Sequence, residues 1–254
     1  TALPHPAQLA AAVHTPHIAG MDQRPPPLRL LLAEVRVLRD WTRARVRPTV
    51  LSRPELGGHA PVMTLPGFCA GDLSMAQMRH NLRAAGFRAR GWQMGPNTGA
   101  KADTLERIHT RVSDIAQREG RAVHLVGWSL GGVMAREYAK QHPGQVASVV
   151  TMGSPFSGSR RANHAWRLYR IIAGHSVDNP PINFSDAPKP LVPTYALWSA
   201  RDGVVAPACA HGQPHESDQA VELRCGHMGF AYAQESIDAV IDCLLAAEGR
   251  SVSR

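Results

Sequence analysis

Ser129 is the residue of this chain best placed to act as a nucleophile. It lies in the run Val123-His124-Leu125-Val126-Gly127-Trp128-Ser129-Leu130-Gly131-Gly132. Gly127, Ser129 and Gly131 form G-x-S-x-G, the mark of a tight strand-to-helix turn that lifts a serine hydroxyl clear of the strand end. Bulky residues two positions to either side would clash in such a turn, so glycine brackets the serine. The helix that follows offers N–H groups to developing negative charge. Before the turn, Ala122 to Val126 is apolar apart from His124, and after it Val133, Met134, Tyr138 and Ala139 give a helical stripe. A glycine-rich connection serving packing alone is the competing reading. The strand–turn–helix context favours the nucleophile.

A serine hydroxyl needs a base to take its proton, and the base needs a carboxylate to fix its tautomer and stabilise its cation. Downstream, an apolar stretch from Leu191 to Trp198 leads into Ser199-Ala200-Arg201-Asp202-Gly203. Asp202 is the expected acid, just past a strand end. An Asp-Gly turn without chemistry is the bland alternative. A shorter stretch, Ala220 to Leu223, leads into Cys225-Gly226-His227-Met228-Gly229. Of the 13 histidines, only His227 combines a loop position after a strand with glycine neighbours, and it is the expected base. His124 is expected to be packed or hydrogen-bonded within its strand, and His211 and His215 to lie in a polar loop. Acyl transfer also needs N–H donors for the oxyanion. The Leu130 N–H, directly after the serine, is one candidate. The second is the Phe68 N–H, in the Pro66-Gly67-Phe68-Cys69-Ala70-Gly71 loop after the strand Pro61 to Leu65.

These segments together resemble the α/β-hydrolases, and within that superfamily the bacterial esterase/lipase-type serine hydrolases. The resemblance rests on Leu65-Pro66-Gly67-Phe68, on Gly127 to Gly132, on Arg201-Asp202-Gly203 and on Gly226-His227, with Thr151-Met152-Gly153-Ser154-Pro155 adding to it. It covers about residues 60 to 247. Many such proteins carry His-Gly where this chain has Pro66-Gly67, which alters the support of the loop but not its main-chain donor. The resemblance implies an α/β fold: a mostly parallel central sheet, helices on both faces and a short cap insertion. It also implies ester cleavage through an acyl-enzyme on Ser129, with a small-molecule ester as substrate and no cofactor. The same residues would serve an acyltransferase or a thioesterase. An inactive scaffold is the reading from a different class, and the intact Ser–Asp–His order argues against it. Trp128 beside the nucleophile, with Trp166 and Tyr169 in the insertion, are the expected substrate contacts.

Composition fits one α/β domain of 254 residues. No apolar run approaches the ~20 residues of a membrane helix. There is no C-x-x-C, and the H-x-x-x-H spacing of His211 and His215 is not read as a metal site. Four cysteines do not make a disulfide framework, although Cys209 and Cys225 bracket the loop before His227 and a bridge between them stays open. Free thiols fit a cytoplasmic enzyme; a periplasmic or secreted one follows if a signal has been removed. The net charge of +8 comes from scattered arginines without aromatic–basic alternation, so nucleic acid is not an expected partner. Contact with an anionic lipid surface stays open, as does the oligomeric state.

The elements that must position these residues follow from periodicity. Residues 1–26 are rich in Pro, Ala and His and read as irregular. Residues 28–43 read as an amphipathic helix with Leu28, Leu31, Leu32, Val35 and Leu38 on one face. Residues 1–59 are thus an N-terminal segment and helix packed on the core, with a lipid or partner surface as the alternative. The core spans 60–155 and 191–248; the resemblance implies that 156–190 is a cap insertion, and the helical spacing of Ala162, Trp166, Tyr169 and Ile172 fits a short cap helix over the pocket or a surface helix packed on the body. Strands are expected over 61–65, 87–92, 122–127, 146–152, 191–198 and 220–224. Helices are expected over 74–85, 102–118, 130–141 and 232–246. Such alternation means a parallel sheet with helices on both faces.

Overall fold

The computed structural model describes residues 24–34, 56–158, 173, 181 and 188–250. Most of the expected cap insertion, Trp166 and Tyr169 included, and residues 35–43 of the expected amphipathic helix lie outside the described residues.

The apolar runs become six parallel strands in one sheet: β1 (Pro61–Leu65), β2 (Arg88–Gly91), β3 (Val123–Trp128), β4 (Val146–Met152), β5 (Thr194–Ser199) and β6 (Gln219–Leu223). Their order is β2-β1-β3-β4-β5-β6, every neighbouring pair being parallel. β1, β3, β4 and β5 are buried along their length apart from Ala147, whereas β6 carries exposed Gln219 and Glu222 as an edge strand should. The chain steps outward from β1 to β2, then crosses back over β1 to β3. The direction of winding therefore reverses between β1 and β3, and open α/β sheets bind ligands at such a reversal, outside the strands' carboxyl ends.

Residues 28–34 form helix α1. The helices α2 (Ala76–Ala84), α3 (Thr104–Glu119), α4 (Leu130–Gln141), α5 (Pro207–His211) and α6 (Gln234–Ala247) follow. Alternation along each strand divides the core in two. Val62, Val126, Val150, Met152 and Leu197 pack with Met78 and Leu82 of α2 and Ile237, Val240 and Leu244 of α6. Met63, Leu65, Leu125 and Val149 pack on the other face with Ile108, Val112 and Ile115 of α3 and Met134 and Tyr138 of α4.

Two expectations are corrected. The stretch around His211, expected as polar loop, contains α5, whose Cys209 and Ala210 form a small apolar cluster with Trp198, Val205 and Ala206. His211 is buried against Trp198, with ring centroids 5.2 Å apart. Pro207 at the first position pre-sets this short helix, and five residues are too few for periodicity to show. On α1, Leu28 and Leu32 of the expected apolar face are exposed, at 67% and 69%, while Glu34 is buried. This helix meets the body through a carboxylate, for reasons the site makes plain.

Candidate active site

Ser129 occupies the turn between β3 and α4 with φ 54° and ψ −123°, a left-handed conformation a side chain adopts only under constraint. Two contacts impose it. The Ser129 N–H donates to the Met152 carbonyl at the end of β4, at 2.8 Å, and the Ser129 carbonyl accepts from the Gly132 N–H at 3.0 Å. The bracketing glycines are steric necessities. A Cβ on Gly127 would lie 2.4 Å from the Gly132 Cα, and one on Gly131 would lie 2.3 Å from the Leu65 carbonyl oxygen. Glycine at 132 has its own cause: a Cβ there would lie 2.1 Å from the buried Ser154 hydroxyl.

The β1–β3 register places Leu65 beside Gly127, so the chain leaving β1 passes the serine turn. A Cβ on Gly67 would touch the Trp128 ring and the Ser129 Cβ at 3.2–3.3 Å. Phe68 therefore follows a residue in contact with the nucleophile turn. Leu130 opens α4, and its N–H has no partner within the helix. The loop after Gly67 is clamped by Asn97, which spacing did not single out. The Asn97 Nδ2 donates to the Pro66 carbonyl at 2.8 Å. Its main chain exchanges bonds with Cys69 and Ala70, each at 2.8 Å. Asp72 holds the far end of the loop by accepting the Trp92 and Gln93 N–H groups.

Asp202 lies just past β5, buried. Its Oδ1 accepts the Val204 and Val205 N–H groups, both at 2.8 Å, which fixes the carboxylate plane. Its Oδ2 meets the His227 Nδ1 at 2.8 Å. Gly153 gives the carboxylate room: its φ is +54°, and a Cβ there would lie 3.0 Å from Asp202 Oδ2. The His227 loop follows β6, and the imidazole is buried. Burial, the largest single influence on it, disfavours the imidazolium. The Asp202 carboxylate, by charge and by hydrogen bond, and the charge of Glu34 outweigh burial and raise the pKa above the ordinary histidine value. Trp128, expected as a substrate contact, is turned toward this loop. It is buried, its indole N–H donates to the His227 carbonyl at 3.0 Å, and the two rings lie 5.7 Å apart.

Glu34 is the other residue that spacing missed. Its Oε1 accepts the Gly203 N–H at 3.1 Å and the His227 N–H at 2.5 Å, and its Oε2 accepts the Met228 N–H at 3.0 Å. Nothing local in the sequence ties position 34 to positions 203 and 227. Cys209 and Cys225 are free thiols, and burial pushes the Cys225 thiol well above the usual range. His124 is buried within β3 between Ser148, at 2.7 Å, and Glu248, at 3.0 Å, the hydrogen-bonded place expected of it. Among the described residues no helix is long and apolar enough to cross a membrane.

The family model described as the alpha/beta hydrolase fold matches residues 62–179, a span that includes Ser129 but ends before Asp202 and His227. Solved structures agree over more of the chain. Bacillus licheniformis lipase BlEst2 in its propeptide form aligns with 77% of this chain and 52% of its own, at TM-score 0.58 and 17% identity. A Burkholderia cenocepacia protein assigned as an aryl esterase aligns over 76% of this chain and 93% of its own, at TM-score 0.54 and 17% identity. The monoacylglycerol lipase of Paleococcus ferrophilus aligns over 74% and 96%, at TM-score 0.51 and 15% identity. No curated protein matches the sequence significantly. At these identities the likeness is one of fold: the chain has the α/β-hydrolase fold and resembles esterases and lipases that share it.

Proposed function

We propose that this protein is a serine hydrolase that cleaves carboxylic esters through an acyl-enzyme on Ser129. The observation that carries the reading is the buried Asp202–His227 pair, bonded at 2.8 Å and anchored by Trp128, the residue before a strained, glycine-bracketed serine. Asp202 takes the Nδ1 edge of the imidazole and leaves Nε2 to receive a proton. In the first step the Ser129 Oγ attacks the acyl carbonyl as His227 accepts its proton. The carbonyl oxygen becomes an oxyanion held by the Leu130 and Phe68 N–H groups. The intermediate collapses, the C–O bond to the alcohol breaks, and His227 returns its proton to the leaving oxygen. In the second step water attacks the acyl-enzyme, His227 takes a proton from it, and Ser129 leaves protonated with release of the acid. Asp202 stabilises the imidazolium at each transfer. These residues need no metal or redox group for the sequence of steps.

The test is a fluorophosphonate, which bonds only to an activated serine. Labelling of the wild type at Ser129, lost in Ser129→Ala, together with hydrolysis of a panel of esters of varied acyl length, supports the reading. An unlabelled wild type overturns it. Product analysis with competing alcohols and thioesters separates hydrolysis of oxygen esters from acyl transfer and thioester cleavage.

A further inference from the structure

We infer that Glu34, from the segment before the sheet domain, is a positioning residue of the active site: one buried carboxylate that ties the acid loop to the base loop. The inference rests on the reading of Ser129, Asp202 and His227 as a triad.

Glu34 is 7% exposed, and a buried carboxylate is costly unless its oxygens are satisfied. Here both are, by main-chain donors from the two loops that carry the acid and the base. Gly203 directly follows Asp202, and it donates to the same Oε1 as the His227 N–H. Met228 supplies the third donor, to Oε2. Hydrogen bonds of N–H groups to a carboxylate are shorter and stronger than neutral ones. Asp202 and His227 come from different strand ends, and the carboxylate at 34 bridges the backbone of both loops.

The glycines beside the triad members support this independently. A Cβ on Gly203 would lie 2.4 Å from the Leu30 carbonyl oxygen, and one on Gly226 would lie 2.6 Å from Glu34 Oε1. Both loops are thus bare of side chains where α1 seats. The orientation of the helix agrees, with Leu28 and Leu32 left exposed while Glu34 is turned inward. Over its described residues, helix α1 meets the two loops through the polar bonds of Glu34.

The carboxylate has a second consequence. Among the described residues, the charged groups acting on the His227 imidazole are Asp202, from the loop after β5, and Glu34, from α1. Glu34 therefore adds a second negative charge that favours the imidazolium formed when His227 takes the serine proton.

The experiment is the rate at which a fluorophosphonate labels Ser129, measured from about pH 5 to pH 9 in the full chain, across the range where a histidine titrates. Glu34→Gln keeps the size but removes the charge and turns at least one bond into an N–H facing an N–H. Its labelling should slow roughly ten- to hundredfold, as expected when a catalytic group is displaced by a fraction of an ångström to an ångström. The midpoint of the acidic limb should fall below that of the wild type, because loss of a nearby negative charge makes the imidazolium easier to deprotonate. Glu34→Asp keeps the charge but is one methylene short. It should label slowly with a midpoint near that of the wild type, and it carries the test by itself if Glu34→Gln does not fold. A Glu34→Gln midpoint equal to that of the wild type, with only a lower melting temperature, reduces Glu34 to a structural tie and overturns the inference. So does a Glu34→Asp rate equal to wild type. A wild type that fails to label overturns the serine hydrolase reading instead.

Discussion

On the proposed reading the chemistry resides in three side chains, each held by its surroundings. Ser129 is held in a left-handed turn, Asp202 is locked by two N–H groups, and His227 is oriented by Asp202 on one edge of its ring. Ser129→Ala removes a single hydroxyl and should abolish ester turnover while the thermal melting curve stays near that of the wild type. Asp202→Asn presents an amide to Nδ1 and favours the wrong tautomer. In a serine protease that error costs ~10⁴ in kcat, and the proposed reading predicts a loss of that order here in steady-state kinetics. A near-wild-type Asp202→Asn enzyme would assign the third role to another carboxylate. The pH profile carries a sign. His227 must be neutral to accept the serine proton, and its pKa is raised above the ordinary histidine value. The acidic limb of kcat/KM should therefore lie above the unperturbed value of 6.5. It should move below the wild-type position in Asp202→Asn, where the main opposing charge is gone.

At the scale of elements, residues far apart in sequence act through the loops at the carboxyl ends of β1, β3, β5 and β6. Asn97 shows how such a loop is held: it is nearly fully buried, and it bonds the Pro66 carbonyl, Cys69, Ala70 and the Gly99 N–H. Asn97→Ala keeps the main-chain bonds to Cys69 and Ala70 but removes the side-chain partners of the Pro66 carbonyl and the Gly99 N–H, costing about 1–3 kcal/mol of stability. It should also lower kcat more than it changes KM, because the Phe68 donor matters most when negative charge develops. Equal kcat with a raised KM would place the loop in substrate binding instead. The legibility of these elements follows their physics. β3, α4 and the glycine-bracketed turn were readable because period, burial and steric exclusion act within ten residues of sequence. β1 and β4 were readable as apolar runs, and the strand and helix ends mostly fell within two or three residues of expectation. α5 was not readable, being a single turn whose burial depends on Trp198. Asn97 and Glu34 were not readable either, since their partners are main-chain groups that could belong to any residue type. A polar side chain bonded to remote backbone leaves no pattern in sequence. On α1 periodicity counts leucines, and of these Leu28 and Leu32 are exposed while Glu34 makes the contact; Val35 and Leu38 of the expected face lie outside the described residues.

Across the whole molecule, the amino ends of the strands, opposite the candidate active site, are tied by a polar network. His124, fully buried in β3, bonds Ser148 of β4 through Nδ1 and Glu248, just past α6, through Nε2. Arg121 also grips Glu248, at 2.6–2.7 Å. The network thus links the last helix to the centre of the sheet, and it makes stability depend on pH. Burial disfavours the His124 imidazolium more than Glu248 favours it, so its pKa is lowered. Burial raises the Glu248 carboxyl, but its bonds to Arg121 and His124 outweigh that and lower it on balance. In both cases the unfolded chain binds protons more readily than the native state, so stability rises with pH over the interval between the two pKa values. The contribution of His124 is complete above its unfolded value of 6.5 and is lost as the pH falls below it. That of Glu248 persists to about 4.5 and is lost below. His227 runs the other way: its raised pKa adds stability below 6.5, lost as the pH rises through the folded value. His124→Gln isolates the first term, since it leaves His227 untouched and the positive net charge repels alike in both proteins on acidification. Urea unfolding midpoints taken from pH 7.5 down to about 5 should fall less steeply in His124→Gln than in the wild type, whatever the absolute stability of the variant. Parallel slopes would mean that His124 titrates alike in the native and unfolded states, and a steeper fall in His124→Gln would mean that the native state holds His124 protonated, joining the sheet and the last helix by an ion pair rather than by a neutral ring.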